Sequence, residues 1–103
     1  MQDIEKLIEQ EKAKIVAQTA KINWRELESF YAQGKVILVS DTLDLIEVGY
    51  AISLDDATKV IEWMESDLLK KDFNEQAKEW AKNNSEVWSV VIKPWILVQK
   101  ITA

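Results

Sequence analysis

The sequence predicts an α+β domain: five helices packed on a small sheet of two to three strands, with a helix-turn-helix-like pair in the middle. Three observations predict it. Residues 87–101, VWSVVIKPWILVQKI, form the longest nearly unbroken apolar run in the chain. Residues 35–40, KVILVS, repeat that β-branched character in a shorter stretch. Elsewhere the apolar residues recur at helical spacing. Strands separated by several helices require a layer of helices packed on a sheet, not a bundle.

Residues 3–20 predict a long helix. Ile4, Leu7, Ile8 and Ile15 make a narrow apolar stripe among Asp3, Glu5, Lys6, Glu9, Glu11, Lys12 and Lys14. Asn23 followed by Glu26 has capping-box spacing and opens a second helix, with Trp24, Leu27, Phe30 and Tyr31 on one face. Gly34 supplies the left-handed residue that ends it. The strand 35–40 follows. A helix from Asp41 or Thr42 to Ile52 is apolar almost all round, so it is expected to be largely buried. Ser53 and Asp56 form another capping box before a helix whose stripe is Ala57, Val60, Ile61, Met64 and Leu68, with Trp63 beside it. Residues 70–73 connect to a last helix, opened by Asp72 or Asn74, with Ala77, Trp80 and Ala81 inward. Asn83, Asn84 and Ser85 stop it.

The final run exceeds the roughly ten residues of an ordinary strand. Pro94 has no N–H for a ladder and marks a bend, bulge or edge. At a period of two, Trp88, Val90, Ile92, Pro94, Ile96 and Val98 share an apolar face, so Trp88 is expected under the helices. The opposite face, with Trp95 and Leu97, is mixed. The long connection between the two strand regions allows parallel or antiparallel pairing.

Composition excludes more than it specifies. The 103 residues predict one domain, 1–103, long enough for a core without staples. The absence of Cys and His removes thiol nucleophiles, imidazole bases and the usual zinc ligands, so no metal and no cofactor is expected. A net charge of −5 opposes general binding to nucleic acid or anionic membrane. The charged N-terminus lacks the apolar core of a signal peptide, and no run reaches the roughly 18 apolar residues of a membrane span. With no cysteine, a cytoplasmic location is expected.

Several constellations carry functional readings. The pair within 44–69 has the outline of a helix-turn-helix, yet Asp55, Asp56, Glu62 and Glu65 against Lys59 would repel phosphate. Asp41, Asp44 and Glu47 recur every three residues. Asp44 and Glu47 are therefore candidate ligand-binding carboxylates, against the plainer reading of acids that favour a helix start. Of five tryptophans, any left at the surface is an anchor for a protein partner. Ile8, Ile15, Trp63, Trp95 and Leu97 are the candidate partner-binding residues. No phosphate loop, nucleophile elbow or Ser-x-x-Lys is present, and no catalytic residue is assigned.

The segments AKINWRELESFYAQG and LDLIEVGYAI, the helices of Trp63 and Trp80, and VWSVVIKPWILVQ together resemble a bacterial family known only as domain of unknown function 2288. The best-marked pieces are Trp24 with Glu26 and Leu27, Leu43 to Leu45 with Glu47 and Val48, and Pro94 and Trp95 with Leu97 to Gln99. Gly49 stands where that family's pattern has alanine. The resemblance implies a small bacterial cytoplasmic protein and carries over no activity, cofactor or catalytic residue.

The expected role is a protein–protein interaction or self-associating module without catalytic activity, a homodimer in which helix 3–20 or the strand region makes the contact. A winged-helix-like nucleic-acid-binding or regulatory domain is the alternative, and a small-molecule or metal-dependent enzyme the second alternative.

Overall fold

The computed structural model describes residues 2–102. The order is α1 (Gln2–Gln18), β1 (Ala20–Asn23), a 3-10 turn (Trp24–Leu27) running into α2 (Glu28–Ala32), and β2 (Val36–Val39). Then come α3 (Leu45–Ser53), α4 (Ala57–Glu65), β3 (Leu69–Lys70), α5 (Asn74–Lys82), β4 (Glu86–Ile92) and β5 (Trp95–Lys100). The strands form one sheet in the order β1-β4-β5-β2-β3. The α+β class is as expected, but the sheet has five strands rather than two to three.

The two additional strands are edge pieces. β1 lies antiparallel to β4, from Ala20 opposite Ser89 to Asn23 opposite Glu86. It takes over the end of the helix expected to reach residue 20, which closes at Gln18. β3 adds two residues, Leu69 and Lys70, antiparallel to β2. Stretches of four and two residues carry no periodicity of their own; the ladder beside them makes them strands.

The apolar C-terminal run folds into a hairpin. Ile92 opposes Trp95, so Lys93 and Pro94 alone make the turn. A two-residue turn exchanges parity: even-numbered residues of β4 share a face with odd-numbered residues of β5. Trp88, Val90 and Ile92 therefore lie opposite Gln99, Leu97 and Trp95 on one face. The single apolar face expected from Trp88 through Val98 is corrected accordingly. β2 joins β5 in parallel, with Val36 opposite Ile96 and Val39 opposite Gln99.

Both faces of the sheet are covered, each by its own core. On one, Val90, Ile92, Leu97, Ile37 and Val39 pack with Ile15, Leu45 and Val48 beneath α1, α3 and α4. On the other, Val87, Ile96, Val98 and Val36 meet Trp24, Leu27, Phe73, Ala77 and Trp80. The face of Trp95 and Leu97, expected to be mixed and to offer partner-binding residues, is covered by α1, α3 and α4. Trp88, expected in the core, is half-buried, and the Lys21 ammonium lies 5.1 Å from its ring centroid.

α1 docks on α3 at a small residue. A Cβ at Gly49 would stand 3.3 Å from Ile15 Cγ2 and 3.5 Å from Ile92 Cδ1. One methyl fits with a slight shift; a longer side chain does not. Gly49→Leu is expected to cost about 1–3 kcal/mol by overpacking. Limited proteolysis should then find α1 cut first, and an unchanged denaturation midpoint would contradict this packing. Lys12 adds an ion pair to the same contact, its Nζ 2.7 Å from Glu47 Oε1. The Glu47 carboxylate holds the ammonium above its ordinary value, so the lysine's contribution is present at neutral pH and is lost as pH rises through that raised value.

The helices end by a shared device. Asp55, Asp67 and Asn84 follow the C-caps of α3, α4 and α5 with φ of 54°, 61° and 52°. Asp and Asn tolerate this left-handed conformation better than other side-chain-bearing residues. The next amides donate back to Ala51, Trp63 and Trp80 carbonyls at 3.0, 2.8 and 2.9 Å. Gly34, at φ 76°, ends α2 in the expected way. At the starts, Asn23 Oδ1 accepts from the Arg25 amide at 3.0 Å. The cap of α4 is Asp56, which accepts from the Lys59 amide at 3.2 Å, while Ser53 belongs to α3.

Candidate functional site

α4 is oriented by its spacing. Val60, Trp63 and Met64 turn toward the sheet at i, i+3 and i+4, and Ile61, expected in the stripe, is exposed. The helix does not seal against the strands along its side from Ala57 to Met64. A groove of about 340 Å³ remains there, floored by Ile37 of β2, Trp95 of β5, Ile52, Val60 and Met64. Its size is at the small end of the roughly 300–1,000 Å³ of ligand pockets, room for one or two side chains.

Polar groups join this apolar floor at specific places. The α3–α4 turn contributes Asp55 and Asp56 to the lining, and the segment after β3 contributes Lys71. The Lys71 ammonium lies 4.3 Å from the Trp95 ring centroid, a cation–π contact that holds the half-buried indole in place. Asp56 is fixed by capping α4, and the Asp55 backbone is fixed by the left-handed turn. Two carboxylates beside an aromatic floor suit an apolar group that carries a cation next to it.

A larger hollow of about 520 Å³ lies beside β3. Its lining includes Lys70, Asp72, Asn74, Glu75 and Gln76, with Leu38 and Phe73 its only apolar side chains, so it lacks an anchoring floor.

The residues singled out from sequence divide sharply. Trp95 of β5 lines the groove, while Trp63 of α4 is half-buried and packs against the core. Leu97 is 0% exposed and Ile15 6%, so both are consumed by the core of their own chain and neither offers a surface. Ile8 is half-buried on α1. Asp44 caps α3, accepting from the Ile46 amide at 2.9 Å, and Glu47 pairs with Lys12. These two carboxylates serve the helix start and the α1–α3 contact. Gln99 donates to the Ser40 and Leu43 carbonyls at 2.9 and 2.8 Å, tying the segment before Asp44 to the sheet. Among the described residues, no group of three or more carboxylates gathers as a metal site would require. No helix there is long and apolar enough to cross a membrane.

Asp55, Met64 and Lys71 were not legible as site residues. They lie on three separate segments, and only the crossing of α4 over β2 and β5 brings them together. The acidic pair in the α3–α4 turn was visible, but as part of a face unfavourable to DNA.

No curated protein matches the chain. A solved structure does, described as the NMR solution structure of PA1075 from Pseudomonas aeruginosa. It is 35% identical, the match covers 91% of this chain and 87% of that one, and the TM-score is 0.79. The family described as protein of unknown function DUF2288 matches residues 10–100. The groove and both cores fall within that span, and the chain belongs to the DUF2288 family.

Proposed function

We propose that the protein is a protein-interaction module without catalytic chemistry, whose docking site is the groove beneath α4. It takes an apolar side chain of a partner flanked by a basic one. The observation that carries this reading is Trp95. A large indole stands half-buried on the groove floor, beneath Lys71 and in the same groove as Asp55 and Asp56. A rigid aromatic in a partly desolvated hollow is the usual energetic centre of a protein contact. Phosphate is disfavoured at this helix, because Asp55, Glu62 and Glu65 are exposed on or beside it.

Selection of a random peptide library on the immobilised protein tests the reading. Enriched peptides are expected to carry a large apolar residue beside Lys or Arg. Their affinity should fall about tenfold or more in Trp95→Ser. It should fall less in Asp55→Asn, which removes the charge but keeps a residue tolerant of the left-handed turn. Peptides that bind Trp95→Ser as well as the parent, or no enrichment at all, would overturn the proposal.

A further inference from the structure

We infer that the occupant of the groove is the N-terminal arm of α1 from a second copy of the chain, exchanged reciprocally in a two-fold dimer. This rests on the groove being a docking site, as proposed above. It begins from the direction of α1. Thr19 lines a hollow with Asp44, Leu45 and Trp88. Four residues earlier in α1, Ile15 meets the Gly49 position and Ile92. Lys12 reaches Glu47 and lies 5.3 Å from the Tyr50 ring centroid. Going back along α1, the contacts advance along α3 toward its C-terminus and along β4 toward the hairpin turn. The two helices are antiparallel.

Length then decides where the arm goes. From Ile15 back to Ile4, α1 rises about 16 Å, whereas α3 has only about 6 Å left between Gly49 and Ser53. The first turns of α1 therefore extend roughly 10 Å past the end of α3. The chain measures 49 × 27 × 26 Å, elongated as such a projection requires. On the arm, Ile4 and Leu7 are 61% and 59% exposed, and Ile8 is half-buried. A helical segment of this length holds poorly in water without a packed face.

The groove opens at the same end. Ile52, Asp55 and Asp56 sit at and just beyond the end of α3, and Trp95 is the first residue after the hairpin turn. Arm and groove at opposite ends would favour head-to-tail rings or filaments. At one end, a two-fold axis through it sets each arm toward the other copy's groove and closes the assembly. The chemistry also matches. Ile4 and Leu7, three residues apart, share one exposed side of the arm, and the groove offers an apolar floor to receive them. Lys6 is the arm's cation for Asp55 and Asp56, set among the acids Asp3, Glu5 and Glu9. Glu9, one turn from Lys6, is the complement for Lys71.

Sedimentation equilibrium of the full chain over a hundredfold concentration range tests this. The parent should rise from 11.9 kDa toward twice that mass. Leu7→Glu, at an exposed position that leaves the fold intact, should stay monomeric, as should Trp95→Ser. An equimolar mixture of the two variants should regain association, because one intact arm then meets one intact groove. A parent that stays monomeric, a Leu7→Glu variant that still dimerises, or a mixture that remains monomeric would each overturn the inference. The last result would point to arm-on-arm or groove-on-groove contact. The docking proposal is separable: library-selected peptides that still bind the Leu7→Glu chain through Trp95 would uphold it even if the second-copy inference fell.

Discussion

Trp24→Ala is expected to remove about 3–5 kcal/mol of stability. Trp24 is 1% exposed and sits where the 3-10 turn, α2 and α5 converge. Its ring centroid lies 5.2 Å from that of Trp80 and 5.7 Å from those of Tyr31 and Phe73. Tilted aromatic pairs of this kind are worth about 0.5–1.5 kcal/mol each beyond the area they bury. The neighbours cannot easily close the gap. The Tyr31 hydroxyl donates to Asn74 Oδ1 at 2.6 Å and accepts from the Phe73 amide at 3.0 Å, which pins two of the three rings. A domain of this size holds about 5–15 kcal/mol in all, so the variant stands near the edge of folding. Urea unfolding followed by circular dichroism should show the midpoint lowered by roughly 1 M or more with little change in slope. Trp88→Ala is the comparison. Its indole is half-buried, so part of its surface already meets water, and its loss should be clearly smaller. Equal losses at the two positions would contradict the burial described above.

Trp24 and Trp88 also show what a sequence can and cannot fix. Trp24 was readable because helical spacing places it with Leu27 and Tyr31, and local spacing survives folding. Phe30 shared that predicted face but lies exposed, because the segment begins as a 3-10 turn and its angular positions differ from those of an α-helix. Trp88 keeps its expected face with Val90 and Ile92 and packs against that core, but it is only half-buried. The residues misplaced were Ile96 and Val98: once Pro94 became the turn of a hairpin, the alternation restarted in β5 with the opposite parity. The strong strands β2, β4 and β5 announced themselves through β-branched runs; β1 and β3 exist only because those strands offered an open edge. The groove was less legible still. Trp95 was singled out as a possible anchor, but Asp55 and Lys71, sixteen positions apart in sequence, become neighbours only through the path of α4 and β3. Asp44 and Glu47 looked like a pair of ligands because a period of three gives helix-start acids the same spacing.

Leu97→Ala should cost about 2–5 kcal/mol, toward the upper part of that range. Leu97 is 0% exposed on β5, flanked in the sheet by Val90 of β4 and Ile37 of β2. With hydrogen-bonded strands on both sides, the backbone cannot collapse into the space a leucine leaves, and the cavity term stays large. Leu97→Glu is expected not to fold, since an unpaired carboxylate there would be cut off from water. It therefore cannot serve as a surface probe of self-association, whereas Leu7→Glu can. The strongest check combines the two faces of the sheet. Trp24 belongs to one core and Leu97 to the other, with no side-chain partner shared between the clusters. Independent sites add to within about 0.3–0.5 kcal/mol. The double variant Trp24→Ala/Leu97→Ala should then lose about 5–10 kcal/mol, which is comparable to the whole stability of a small domain, and be largely unfolded without a stabilising osmolyte. A double variant that folds in plain buffer with a loss close to that of either single change would mean that the two cores fail as one unit, coupled through the strands they share.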